Sequence, residues 1–64
     1  MTDFVELCKR IIDTNGNPST EDVLGCGFTM EHFIRMSQPN VNTDKLVKNA
    51  RQALLDRGIR YKEN

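Results

Sequence analysis

Between Lys45 and Arg57 the chain sets Lys45, Lys48, Asn49, Arg51, Gln52 and Arg57 at spacings that can gather several of them on one side of a helix. Lys and Arg neutralise phosphates, and Asn, Gln and Arg hydrogen-bond to purine edges, so these residue types in this density suit a phosphate backbone and the bases behind it. They equally suit the carboxylates of an acidic protein. A smaller set, His32 and Arg35, lies upstream on a second helical stretch. Lys45, Lys48, Arg51 and Arg57 are the candidate phosphate contacts, and His32, Arg35, Asn49 and Gln52 the candidate base contacts.

Other chemistries find less support. Cys8, Cys26 and His32 have none of the close spacings by which a chain holds zinc, and two cysteines are too few for the disulfide framework of a small secreted domain, so both are expected as free packing thiols. Gly25-Cys26-Gly27-Phe28-Thr29 precedes a helix, but it follows no strand and lacks the full phosphate-loop patterns. No nucleophile with a base and an orienting group can be assembled around His32, the single histidine. Neither an enzyme nor a cofactor is expected.

The formal net charge is zero. That zero conceals a separation along the chain: Met1 to Ile34 carries two cations against six carboxylates, a net −4, and Arg35 to Asn64 carries seven against three, a net +4. One-sided positive charge attracts nucleic acid or an acidic protein surface. At 64 residues there is room for one domain, 1–64, and for a modest core. No run approaches the roughly 20 apolar residues of a membrane span, nor the basic start and apolar stretch of a secretory signal. A cytoplasmic protein without a membrane partner is expected.

The elements that must position these residues are helical. Phe4, Val5, Leu7, Cys8, Ile11 and Ile12 recur on one stripe, with Thr2 or Asp3 as cap and Asn15-Gly16 with Pro18 as the stop. Ser19 with Asp22 three residues on forms a capping box for a short second helix, ended by Gly25 and Gly27. Thr29 caps a third, whose apolar face would be Met30, Phe33, Ile34 and Met36, with Glu31, His32 and Arg35 outward. Ser37 to Val41, containing Pro39, reads as a loop. Asn42 or Thr43 caps a fourth helix with Asp44 in its first turn, a buried stripe of Leu46, Val47, Ala50, Ala53 and Leu54, and Gly58 as terminator. Lys45, Lys48, Asn49, Arg51 and Gln52 take its solvent side. Leu55 falls there too, and must pack under a tail of Ile59 and Tyr61, a short strand or extended arm, or meet a partner. The expected fold is all-α: four short helices round Phe4, Ile11, Leu24, Phe28, Phe33 and Leu54.

Short helix, Gly-containing turn and capped helix is the outline of a helix-turn-helix. In Val23, Leu24, Cys26, Gly27, Phe28, His32, Phe33 and Arg35, about a quarter of the chain, the stretch Ser19 to Met36 resembles the helix-turn-helix of AraC-type regulators. That resemblance implies a helix-turn-helix-like core and base contacts from Met30, Glu31, His32 and Arg35. The order of helix one, the Asn-Gly-Asn-Pro-Ser-Thr turn and a final basic helix ending Leu54-Leu55-Asp56-Arg57-Gly58-Ile59 also resembles winged helix-turn-helix regulators, which would make the fourth helix the reader. The leading expectation is a small regulator binding double-stranded DNA, as a homodimer with Leu55 and Tyr61 near the interface. The alternative is an interaction module, an adaptor or inhibitor, that docks its basic face on an acidic partner protein without nucleic acid.

Overall fold

A computed structural model describes residues 2–37 and 42–62. Four helices follow one another, α1 (Phe4–Asp13), α2 (Thr20–Gly25), α3 (Met30–Ser37) and α4 (Thr43–Asp56), and the described residues contain no strand. The fold is all-α, as the apolar spacing predicts. Ser37, expected to open a loop, instead ends α3, where its hydroxyl donates to the Phe33 carbonyl at 2.8 Å, and the rest of that expected loop, through Pro39, lies outside the described residues.

Asp3 starts α1: its carboxylate accepts the Glu6 N–H at 3.0 Å, which satisfies one of the donors a helix leaves open at its first turn. Leu7, Cys8, Ile11 and Ile12 are buried along the inner side. The helix stops where Asn15 and Gly16 adopt φ of 54° and 87°, and the Gly16 N–H returns to the Ile11 carbonyl at 2.8 Å. Gly16 answers two demands at once. Besides its left-handed backbone, a Cβ there would lie 2.6 Å from the Thr43 carbonyl oxygen, because this turn rests on the start of α4.

Both arms of the capping box form at α2. Ser19 Oγ accepts the Asp22 N–H and Asp22 accepts the Ser19 N–H, each at 3.0 Å. The helix runs through Gly25 before the chain reverses at Cys26-Gly27, and that reversal seats Cys26 and Phe28 in the core. Leu24 does not join them. It is 53% exposed, against its expected place in the core, because a six-residue helix offers one inward position at this level and fully buried Val23 occupies it. The Cys26 carbonyl accepts the Asp3 N–H at 2.8 Å, tying the α2–α3 turn to the head of α1.

Thr29 Oγ1 accepts the His32 N–H at 3.0 Å and so caps α3. Met30 and Phe33 pack against the core, but Ile34 and Met36 remain 63% and 39% exposed. The expected four-residue apolar face is therefore too wide. At 100° per residue Met30, Phe33 and Ser37 share the inward arc, and Ile34 and Met36 fall on opposite flanks of it.

Asn42 caps α4 by accepting the Lys45 N–H at 2.8 Å. Ala50 and Leu54 are buried and Leu46, Val47 and Ala53 pack against the core, so the predicted inner stripe is the observed one. Gly58, at φ 76°, ends the helix with the two reversed hydrogen bonds of a Schellman motif, Gly58 N–H to Leu55 and Ile59 N–H to Leu54. α1 and α4 run antiparallel. Gly16 after α1 meets Thr43 at the start of α4, and Phe4 at the start of α1 meets Arg57 at the end of α4.

Candidate interaction surface

Helix spacing places Lys45, Lys48, Asn49 and Gln52 together on one exposed stripe of α4. Among the described residues neither lysine forms an ion pair. Gln52 donates to the Asp56 carboxylate at 2.9 Å. Arg51 departs from its expected place on the solvent side. It is half-buried, and its guanidinium donates to the Tyr61 and Lys62 carbonyls at 3.2 Å each, because the tail folds back along α4 and presents two acceptors in need of a donor. Arg57 lies over the Phe4 ring, 5.0 Å from its centroid.

The α3 candidates sit apart from that stripe. Arg35 is exposed and pairs with Glu31 one turn earlier at 2.7 Å. His32 is exposed too, its ring tilted against Phe28 at 5.4 Å, over a shallow hollow that Thr2, Gly27 and Thr29 complete.

Between these two sets lies a feature that the charged residues do not announce. An apolar groove of about 140 Å³ is floored by Phe4, Cys8 and Ile11 of α1. One wall is Phe33, Met36 and Ser37 of α3, and the other is Leu46, Asn49, Ala50 and Ala53 of α4. Its origin is steric: Cys8, Ala50 and Ala53 are too short to fill the space between helices whose axes are held apart by larger neighbours. The two alanines within the α4 stripe are the signal in the sequence, although small residues on a buried stripe more often mark close helix approach. Burial pushes the Cys8 thiol up from its ordinary pKa, with the positive field of Arg57 pulling the other way.

The tail closes the opposite side of α1. The Tyr61 hydroxyl donates to both oxygens of Asp13 at 3.0 and 2.9 Å, Lys62 Nζ approaches the same carboxylate at 2.5 Å, and Lys9 Nζ stands 5.5 Å from the Tyr61 ring centroid. Hydrogen bonds from Lys62 and Tyr61 hold Asp13 below the usual carboxylate range, and the same contact raises Tyr61. Tyr61 and Leu55, expected at a dimer interface, are half-buried within the chain itself.

Among the described residues no group of three or more His, Cys, Asp or Glu is placed to hold a metal ion. No helix there is long and apolar enough to cross a membrane. Fold and surface define a small all-α protein with an apolar groove set between a cationic helix and a half-exposed one. Compared with protein-family models, with curated proteins and with solved structures, the chain matches none.

Proposed function

We propose that this protein is a small interaction module that docks on an acidic protein through the surface formed by α3 and α4. The groove carries the reading. Scattered exposed apolar residues are ordinary, but here Met36 belongs to a continuous apolar trough, and Arg57 stands at one end of it. At about 140 Å³ the trough is well below the roughly 300–1,000 Å³ of small-molecule pockets and suits an anchoring side chain from a partner protein. Cations beside such an anchor steer an acidic partner and fix its register. The reading requires no catalysis and no cofactor.

A second reading, duplex DNA bound by α4, draws on the exposed stripe of Lys45, Lys48 and Asn49. It has fewer groups to work with, since Arg51 is spent on the tail and Arg35 pairs with Glu31. The helix-turn-helix resemblance supports it through the contact between α2 and α3 across the Cys26–Thr29 turn.

Photo-crosslinking separates the two. With benzoyl-phenylalanine in place of Met36 the protein is expected to trap a protein partner, and in place of Glu21 to trap none, while anisotropy with labelled duplex DNA stays flat at low salt. No crosslinked protein from Met36, together with salt-sensitive DNA binding lost in Lys48→Glu, would overturn the interaction reading in favour of DNA.

A further inference from the structure

We propose that the groove receives an amphipathic helix of the partner, with a large apolar side chain seated between α3 and α4 and a carboxylate toward each end. This inference rests on the interaction reading above and names the chemistry of its occupant.

Charge complementarity carries the choice. At the Phe4 end of the groove Arg57 lies over the ring that forms the floor. A guanidinium stacked in that way keeps its N–H edges available to a carboxylate, and Arg57 has no ion pair among the described residues. Toward the Leu46 end Lys45 stands one turn before groove-lining Asn49, also without an ion pair among the described residues. Of the carboxylates nearest in sequence to those walls, Glu31 pairs with Arg35 and Asp56 accepts from Gln52, while Asp44 in the first turn of α4 falls by helical spacing on the side of that helix away from the groove.

Length points to a helix rather than an extended strand. Lys45 and Arg57 are separated along α4 by about 18 Å at 1.5 Å per residue. A helix lying parallel to α4 would span that interval in about twelve residues, placing an apolar stripe at i, i+3, i+4 and i+7 over the trough and acidic residues at both ends. A strand would present alternate side chains to opposite faces and seat fewer of them along one trough.

The test uses the full chain and two synthetic amphipathic peptides with the same leucine stripe. One carries Glu near both ends, the other Lys at those positions. NMR mapping is expected to show the Glu peptide shifting the amides of Cys8, Phe33, Asn49 and Ala53, with the Lys peptide binding at least about tenfold more weakly. Lys45→Glu and Arg57→Glu are each expected to weaken the Glu peptide about tenfold, and the double variant to bind the Lys peptide instead. Helical circular dichroism confirms that the variants fold, and the gain of Lys-peptide binding cannot arise from unfolding. Equal binding of both peptides, or shifts away from the groove, would overturn the proposal. A concentration-dependent dimer that shifts the same amides would also overturn it, assigning the groove to a second copy. If neither peptide binds while Met36 still crosslinks a protein, the helical occupant falls and the interaction reading stands. If the crosslink fails as well, both fall.

Discussion

Asp13 is the residue that ties the C-terminal tail to the end of α1. It holds the tail through Tyr61 and Lys62, and Asp22 does comparable work at the head of α2 through Ser19 and Arg10. Both carboxyls titrate below the ordinary range in the folded chain, Asp13 chiefly through its bond to Lys62 and Asp22 chiefly through the Ser19 N–H. A depressed folded pKa means that the unfolded chain takes up protons first. The stability these groups contribute is therefore full above the ordinary carboxylate pKa near about 4 and is lost as pH falls through the depressed values. Tyr61 is the only tyrosine and there is no tryptophan, so intrinsic fluorescence reports the tail alone. An acid titration is expected to show a Tyr61 transition below about pH 4, absent in Asp13→Asn, which would also return the tyrosinate titration toward its ordinary position. A tyrosine signal identical in the two proteins would refute the clamp. At Gly16 the demand is backbone geometry: Gly16→Ala is expected to cost at least about 1–2 kcal/mol in urea unfolding, from the left-handed conformation alone.

At the scale of elements, the caps were the most legible feature. Asp3, Ser19, Thr29 and Asn42 each accept an N–H three residues on, because a short polar side chain before an apolar-periodic run has few better partners. Asn42→Ala is expected to lower stability by about 1 kcal/mol, measured by urea unfolding. Less legible was the width of each apolar face. Leu24, Ile34 and Met36 have the residue types and spacing of core positions, yet short helices meet their neighbours along narrow arcs, and periodicity does not say how wide the contact is. The contrast between Leu24 and Val23, one residue apart, measures this. Leu24→Ser should change stability by no more than about 0.5 kcal/mol, as at other exposed sites, whereas Val23→Ala should cost well above that.

For the whole molecule, the governing event is the antiparallel packing of α1 against α4, which places the acidic beginning of the chain beside its basic end. The separation of charge along the sequence is thereby partly cancelled in space, through Asp13 with Lys62 and Tyr61. Leu54 is central to that packing and almost fully buried. A chain of 64 residues has a total stability of only about 3–10 kcal/mol, so Leu54→Ala, at about 2–5 kcal/mol, is expected to remove a large share of it and to lower the melting temperature by at least about 8 °C, measured by circular dichroism. A cooperative, near-native melt of that variant would show that α4 is not held as described.

What the amino-acid order determined by itself was local: four helices, their caps, the Gly58 terminator and the inner stripe of α4, all set by contacts within a turn or two of the chain. The cationic candidates were equally visible as residue types. Their availability was a tertiary matter, since Arg51 turned to the tail carbonyls and Arg57 to the Phe4 ring only because distant segments came within reach. The groove, too, exists only once α1, α3 and α4 are assembled. No single helix encodes a space, which arises where side chains from three of them fall short of one another.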